Sequence, residues 1–282
     1  MIPPHRVLHA AFTVLERAAP WLGGLWAARL WYALPAGGHR RDDRPDLPSV
    51  RSEVTMPAGQ QLVAESWGPA DAAPVYLVHG WGGWRGQLGS FVRPLVAGGH
   101  RVVAFDAPSH GESDAGALGP GRCTAAELMH ALTATVTEHG SPAGIVAHSL
   151  GGVTTALALD DGLSTPKLVL VAPAVDPFTR MDAFAAALGF GPRVRRSLTR
   201  HLERRERRPI RDFVIANLME RIERPPLLVV HDVDDKEAPF TQGEQLAKTW
   251  PGAWFVATEG LGHRRILRDP DVAATVTQFV TR

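Results

Sequence analysis

The most telling segment of the chain reads Ala147-His148-Ser149-Leu150-Gly151 and overlaps the end of the apolar run 144–147. The apolar run predicts a buried strand. The small residues two positions before and after Ser149 permit a sharp turn from that strand into a helix, which would expose the serine Oγ at the edge of a sheet. Because short patterns of small residues recur by chance, an ordinary helix start with Ser149 near its N-cap is the competing interpretation.

A glycine-rich loop follows an earlier apolar run, 75–78, which predicts another buried strand. The loop reads His79-Gly80-Trp81-Gly82-Gly83, and its glycines allow the backbone to approach a ligand closely. It resembles an oxyanion loop, in which the N–H groups of Trp81 and Leu150 would face one carbonyl oxygen. A glycine-rich turn with no catalytic task is the alternative. The adjoining positions are candidate substrate contacts: His79, Gly80 and His148.

Two later loops offer an acid and a base. The apolar run 227–231 opens into a loop with three aspartates, Asp232, Asp234 and Asp235, and a further predicted strand at 253–257 leads to His263 between flexible glycines. A carboxylate after a late strand can hold the tautomer of a catalytic histidine and stabilise its positive charge. The residue pattern alone leaves the choice among the three aspartates open.

Serine, acid and histidine follow one another in the order of the α/β-hydrolase triad. From about Glu53 to the C-terminus the sequence resembles the α/β-hydrolase superfamily. The segment 106–113, Asp-Ala-Pro-Ser-His-Gly-Glu-Ser, is similar to the Asp-x-Pro-Gly-His-Gly-x-Ser loop of that family, with Ser109 where glycine is usual. In this loop we expect His110 and Ser113 to make structural hydrogen bonds rather than to take part in the chemistry.

The resemblance also selects the acid. In the family's acid loop the fifth residue is the acid and the ninth a proline, which here, counting from His231, are Asp235 and Pro239. Asp234 is the reserve candidate, and Asp232 is expected to close the turn. The implied catalytic set is therefore Ser149, Asp235 and His263.

The resemblance implies an α/β-hydrolase fold, a mostly parallel twisted sheet flanked by helices, with an inserted helical cap. Predicted strands lie at about 75–79, 101–105, 144–148, 167–172, 227–231 and 253–257, after a hairpin at 51–56 and 61–67. The capping box Thr124-x-x-Glu127 predicts a helix to about His139. The expected domains are an N-terminal extension with a linker (1–50), a catalytic core (51–172 and 218–282) and the cap (173–217).

The expected cap combines apolar and basic stretches. Phe178 and Phe184 fall in its apolar part and are candidate substrate contacts. The segment 193–211 holds nine arginines against two glutamates. A positive lid that attracts anionic substrates or an acidic surface is one interpretation. A solvated outer helix face is the favoured one, because charge runs usually face water and the whole chain has a net charge of only +1.

The first 34 residues carry apolar positions at helical spacing, among them Trp21, Trp26 and Trp31. Charged residues interrupt the stretch, so it predicts neither a membrane-spanning helix nor a secretory signal. We expect short helices that pack on the body of the domain or on a neighbouring subunit, with association at a membrane surface as the next alternative. The segment 37–48 is expected to be a linker.

Composition narrows the remaining choices. Neither a broad basic face with interleaved aromatic residues nor a metal-ligand spacing is present, so we expect no nucleic acid, metal or other cofactor. The single cysteine, Cys123, permits no internal disulfide and is expected to be structural, which makes the cytoplasm the default location and peripheral membrane association the alternative.

The predicted function is a serine hydrolase that cleaves small-molecule carboxylic esters through an acyl-enzyme. Thioesterase, lactonase and acyltransferase activities would use the same three residues. A binding protein with a vestigial site is an alternative of a different class, because fold alone does not imply function.

Overall fold

The computed structural model describes residues 4–35 and 45–282, so most of the expected linker at 37–48 lies outside the described residues. The strands are β1 (Val50–Thr55), β2 (Gln61–Trp67), β3 (Pro74–Val78), β4 (Arg101–Phe105), β5 (Gly144–His148), β6 (Leu168–Val171), β7 (Leu227–Asp232) and β8 (Trp254–Thr258). The α-helices are α1 (Pro4–Ala18), α2 (Pro20–Trp31), α3 (Val92–Ala97), α4 (Ala125–His139), α5 (Leu150–Asp160), α6 (Pro177–Leu188), α7 (Pro192–Glu206), α8 (Ile215–Leu218), α9 (Phe240–Thr249), α10 (Gly262–Arg265) and α11 (Pro270–Thr281). Short 3₁₀ helices cover Arg85–Phe91, Ile210–Phe213 and Ile266–Arg268.

Within the described residues the eight strands form one sheet in the order β1-β2-β4-β3-β5-β6-β7-β8. The β1–β2 and β2–β4 pairs are antiparallel, and every pair from β4 to β8 is parallel. This arrangement confirms the expected mostly parallel α/β fold. Strand β5 lies between β3 and β6, with Ala147 beside Val78 and Leu170. Because parallel strands end at a common edge, the loops after β3, β5, β7 and β8 emerge on the same side of the sheet.

Helices cover the sheet, because this packing buries apolar side chains of the helices and of the inner strands together. Strands β3, β5 and β6 are buried along their whole length, as expected for parallel strands with both faces covered. Helix α4 begins at the predicted capping box: the Thr124 side chain accepts from the Glu127 N–H, and the Glu127 carboxylate accepts from the Thr124 N–H. One core cluster joins strand residues to helix residues such as Leu95, Val272 and Val276.

The chain divides into two compact units. The large unit comprises Leu34–Val175 and Ile215–Arg282 and contains the sheet, whereas the small unit comprises Met1–Ala33 and Asp176–Val214. The inserted segment lies within three residues of the bounds expected at each end. The N-terminal helices α1 and α2 pack on α6 and α7 of the insertion. Their expected packing on the body of the domain or on another subunit stays a prediction.

Small residues explain how α2 and α7 pack so closely in the small unit. A Cβ at Gly23 would lie 2.6 Å from Cγ2 of Val194, and one at Gly24 would collide with the side chain of Ser197. Glycine at both positions lets the two helix backbones approach. Between α1 and α2, Phe12 is fully buried and its ring stacks on Trp26 with the centroids 4.9 Å apart.

A side chain from α1 caps α7. The Glu16 carboxylate accepts backbone N–H groups of Gly191, Arg193 and Val194 at 2.9–3.0 Å. Burial raises the pKa of Glu16, but these three donors together with the Arg193 charge outweigh it and hold the pKa below its usual value. Glu16 thus supplies the oxygen acceptor that the N-cap residue, Gly191, lacks.

Large apolar side chains of α1 and α2, among them Trp21 and Leu25, are exposed on the small unit. No helix in the described part of the chain has the length and apolar character needed to span a lipid bilayer.

Candidate active site

Ser149 occupies a strained turn between β5 and α5. Its backbone adopts φ 53° and ψ −122°, a left-handed φ that is uncommon for a residue with a side chain and costs on the order of 1–3 kcal/mol. Glycines make the turn possible: a Cβ at Gly151 would lie 2.7 Å from the Val78 carbonyl oxygen, and one at Gly80 would lie 2.9 Å from Cβ of Ser149. Ser149 remains partly exposed. The predicted strand-turn-helix elbow is therefore present, and Ser149 makes no side-chain N-cap hydrogen bond.

The structure brings together the three residues that the sequence singled out. The His263 Nε2 lies 3.0 Å from the Ser149 Oγ, and the His263 Nδ1 lies 2.8 Å from Oδ2 of Asp235. An ionised carboxylate only accepts, so Nδ1 carries the proton and donates to Asp235. The unprotonated Nε2 is then free to accept the serine proton.

The Asp235 carboxylate accepts hydrogen bonds from several groups besides His263. Its Oδ1 accepts the N–H groups of Glu237 and Ala238 at 2.8 and 2.9 Å, and its Oδ2 accepts a second imidazole N–H from His231 at 3.2 Å. Burial raises the pKa of this fully buried carboxyl, but the donated hydrogen bonds, led by those of His231 and His263, hold it well below its usual range. Asp235 is therefore ionised wherever the protein is folded near neutral pH.

The other two aspartates have different surroundings. Asp232 is buried and accepts hydrogen bonds from the Thr258 hydroxyl and from the N–H groups of Leu261 and Asp234. It closes the turns after β7 and β8, as expected. Asp234 is exposed and accepts the Gly260 N–H. Neither carboxylate contacts His263 in the hydrogen bonds described.

Two buried histidines fix the glycine-rich loop after β3. The His79 Nδ1–H donates to the Gly80 carbonyl at 2.8 Å, while its Nε2 accepts the Ala107 N–H at 3.1 Å. The His110 Nε2 accepts the Gly82 N–H at 3.1 Å, and its Nδ1–H donates to the Pro108 carbonyl. The prediction of His79 as a substrate contact is therefore wrong, because the backbone occupies both of its ring nitrogens. Gly80 instead makes room for the elbow.

In the loop between β4 and α4, His110 and Ser113 make the structural hydrogen bonds that the sequence predicts. The Ser113 hydroxyl donates to the Asp106 carbonyl at 2.6 Å and accepts the Val63 N–H at 2.8 Å. Ser109, at the position where glycine is usual, adopts φ 63°. Its Oγ accepts the Gly116 N–H at 3.0 Å, so the loop keeps the left-handed conformation despite the side chain.

A buried ion-pair cluster next to these loops was not anticipated. The guanidinium of Arg85 is fully buried, contacts Asp106, and lies 2.5 Å from Glu112 and 3.2 Å from Glu65. The Arg85 N–H also donates to Asp106, which connects the 3₁₀ helix after the glycine-rich loop to the loop after β4. Hydrogen bonding to Arg85, opposed by burial, lowers the pKa of Glu112 to about 2. Removing Arg85 would leave the fully buried carboxylate of Asp106 without its ion-pair partner.

His148 is buried and contacts the backbone of His263. Its Nε2–H donates to the His263 backbone carbonyl at 3.0 Å, and the two rings lie 4.7 Å apart. Burial, followed by the nearby His263, lowers the pKa of His148 to about 3, against opposing effects of Asp235. His148 is thus a neutral positioning residue, and its prediction as a substrate contact is wrong.

Because His148 is buried in its neutral form, we expect the free energy of unfolding to depend on pH. The unfolded chain binds a proton at His148 below about pH 6.5, whereas the folded chain does not until about pH 3, so stability falls as the pH falls through that window. Between pH 7 and pH 5 we expect His148 to cost about 2 kcal/mol of unfolding free energy. Urea denaturation of the wild type and of His148→Gln, which keeps an N–H donor, measures the difference. Equal losses in both proteins between pH 7 and pH 5 would contradict the assignment.

The remaining candidates are placed as follows. Leu150 is the first residue of α5, and Trp81 lies in the glycine-rich loop after β3; their joint role as oxyanion donors stays a prediction. Phe178 and Phe184 lie on α6 in the small unit, where Phe184 packs on Trp31, and their contact with a substrate also stays a prediction. Cys123 is buried. Across residues 4–35 and 45–282 no group of three histidine, cysteine or acidic side chains could hold a metal ion.

Comparison with known proteins places this geometry in context. A sequence model described as "Alpha/beta hydrolase family" matches residues 75–276. The chain is 27% identical to a non-heme chloroperoxidase of Streptomyces lividans over 78% of this chain and 95% of the relative. It is 40% identical to a putative carbamate hydrolase, RutD, of Variovorax paradoxus over 38% of this chain and 40% of the relative.

A solved structure supports the fold in the same way. The esterase Pf2001 of Pyrococcus furiosus superposes with a TM-score of 0.64 at 18% identity, over 89% of this chain and 97% of the esterase. At this identity the likeness concerns the fold.

Proposed function

Because the chain belongs to the alpha/beta hydrolase family, we propose that it is a serine hydrolase that cleaves carboxylic esters through an acyl-enzyme. One observation carries the proposal: Ser149, on a strained elbow, lies within hydrogen-bond distance of His263, which in turn contacts the buried, ionised Asp235. A nucleophile, a base and an orienting acid are the three parts that acyl transfer needs.

Each step follows from these contacts. His263 Nε2 takes the Ser149 proton as Oγ attacks the ester carbonyl, and Asp235 stabilises the imidazolium that forms. The N–H groups of Trp81 and Leu150 hold the negative oxygen of the tetrahedral intermediate. His263 then returns the proton to the leaving alcohol. Water attacks the acyl-enzyme in the same way and releases the acid and free Ser149.

Serine at the elbow favours acyl transfer over other reactions of this family. Haloalkane dehalogenases and epoxide hydrolases share a similar layout but carry aspartate at the elbow, where this chain has Ser149. Thioesters, lactones and transfer of the acyl group to an alcohol remain open to the same three residues. We place the activity in the cytoplasm, because a chain with one cysteine gains nothing from an oxidising compartment.

Two measurements test the proposal. A fluorophosphonate probe should label the folded protein on Ser149, identified by peptide mapping, and should not label the urea-unfolded protein. A series of p-nitrophenyl esters of increasing acyl length should show turnover with a maximum at one length. A folded protein that neither reacts with the probe nor cleaves any of these esters is not the enzyme proposed.

A second candidate reaction is suggested by the relative named a non-heme chloroperoxidase. Hydrogen peroxide can attack the acyl-enzyme in place of water and release a peracid, with the same roles for Ser149 and His263. Assays with an ester or carboxylic acid and hydrogen peroxide, followed by oxidation of a halide, would detect it. Peracid formation slower than ester hydrolysis at equal concentrations of substrate would favour the first function.

A further inference from the structure

Charge is divided unequally between the two units. The small unit holds 13 arginines against six aspartates and glutamates, a net charge of +7. The large unit holds 17 lysines and arginines against 23 aspartates and glutamates, a net charge of −6. The overall charge of +1 was one reason to interpret the basic segment 193–211 as a solvated helix face. That total is the sum of a strongly basic unit and an acidic one.

The same unit exposes large apolar side chains. Helix α2 buries Gly23, Gly24, Ala27 and Ala28, whereas its tryptophan and leucine residues at positions 21, 22, 25 and 26 are exposed. Trp21 is 63% exposed and Leu25 51% exposed. The exposed apolar residues, called the apolar patch below, are Val7, Val14, Trp21, Leu22, Leu25 and Trp26. The exposed side of α2 also carries Arg29.

Helix α7 presents arginines at helical spacing. Arg193, Arg196, Arg200 and Arg204, called the arginine row below, are all exposed and recur every three or four residues, so they lie along one side of the helix. The opposite side buries Val194, Leu198 and Leu202. Beside the end of the row is an open groove of about 510 Å³, lined by Arg200, Glu203, Arg204, Arg207, Arg208 and Pro209.

Direct contacts join the arginine row to the helices of the apolar patch. Arg204 donates to the His201 Nδ1 at 3.2 Å, and the His201 ring also hydrogen-bonds to the backbone of Trp21. At the other end of the row, Arg193 donates to the Arg17 carbonyl of α1 at 3.0 Å. The helices that carry the apolar patch and the arginine row therefore pack on each other within one structural unit.

We propose that this surface of the small unit binds anionic lipid bilayers. Tryptophan and leucine favour the boundary between lipid headgroups and acyl chains, where α1 and α2 would lie in the plane of the membrane. The guanidinium groups would bind lipid phosphates and carboxylates. A two-fold dimer formed through this surface is disfavoured, because two copies facing each other would bring like charges of the arginine rows together.

The first test is vesicle flotation with the full chain. Vesicles of phosphatidylcholine alone are compared with vesicles in which about one third of the lipid is phosphatidylserine. The chain should float with the anionic vesicles and should lose binding as salt rises, since salt screens the arginines. Equal binding to the two kinds of vesicle, or no binding to the anionic kind, would overturn the proposal.

Variants assign the binding to this surface. Arg196→Gln combined with Arg200→Gln should weaken anionic-vesicle binding by roughly 30-fold, at about tenfold or less per charge. The matched control, Arg93→Gln with Arg224→Gln, removes two exposed arginines of the large unit and should bind like the wild type. If both pairs weaken binding equally, net charge and not the arginine row determines it, and the proposal is wrong.

A second pair tests the apolar patch. Trp21→Ser with Leu25→Ser should reduce vesicle binding by about tenfold or more, whereas Trp254→Ser, at a tryptophan 49% exposed on the large unit, should not. Circular dichroism establishes that each variant is folded. Self-association in sedimentation velocity that depends on Trp21, without vesicle binding, would identify a second copy as the occupant and overturn the proposal. Binding of an acidic protein without binding of vesicles would also overturn it.

Discussion

Ser149→Ala should lower kcat/KM for p-nitrophenyl esters by at least about 1,000-fold and abolish fluorophosphonate labelling. Without Oγ no acyl-enzyme can form, and only the oxyanion donors and substrate binding remain to accelerate attack by water. Alanine keeps a Cβ at the strained φ of 53°, so the backbone of the elbow is changed little. Steady-state kinetics and intact-protein mass spectrometry give the two readouts.

The control for this variant is Ser141→Ala, which removes an exposed hydroxyl in the turn before β5. It should retain wild-type activity and labelling. Residual activity of Ser149→Ala within tenfold of the wild type, in protein purified free of contaminating esterases, would rule out Ser149 as the nucleophile.

Asp235→Asn should lower kcat by about 10⁴-fold while KM changes little. An amide cannot stabilise the imidazolium, and its NH₂ group can donate to Nδ1 of His263, which would favour the tautomer that cannot accept the serine proton. The low pKa of Asp235 means that the wild-type carboxylate stays ionised from pH 5 to pH 9. Over that range, its ionisation should leave no step in the pH profile of the wild type.

Asp234→Asn is the matched control, because it makes the same chemical change one residue away on an exposed carboxylate. We expect its kcat to stay within about threefold of the wild type, since removing an exposed charge with one backbone hydrogen bond has a small effect. A large loss in Asp234→Asn together with near-normal activity in Asp235→Asn would reverse the assignment of the acid.

Much of the large unit could be predicted from local patterns. Each buried strand is an apolar run with a turn after it, and the predicted bounds for β5 and β4 match the structure to the residue. Local patterns also predicted that the loops of Ser149, Asp235 and His263 share one edge of the sheet, because each follows a parallel strand and parallel strands end at a common edge. The choice of Asp235 among three aspartates came from the resemblance to the α/β-hydrolase family. Strand order, in contrast, depends on pairings between distant segments and has no local pattern.

The missed residues of the site act through contacts that spacing does not reveal. His231 ends an apolar run and has the signature of a strand residue, yet its ring donates to the same oxygen of Asp235 as His263. Arg85 looks like an ordinary surface cation in the sequence but is buried against Asp106. The pairing of α2 with α7 was equally hidden, although the Gly23-Gly24 pair within a helical pattern is a sign of close packing.

The capping of α7 by Glu16 has a consequence for the order in which the protein is made. Glu16 leaves the ribosome 175 residues before Gly191, its nearest partner in the sequence, which at about 5–20 residues per second is a delay of roughly 10 to 35 s. Throughout that interval α1 and α2 have no α7 to cover Gly23 and Gly24. A nascent chain in this state leaves the side of α2 that α7 later covers open to solvent, and the start of α7 waits for no later segment because its cap, Glu16, has already been made.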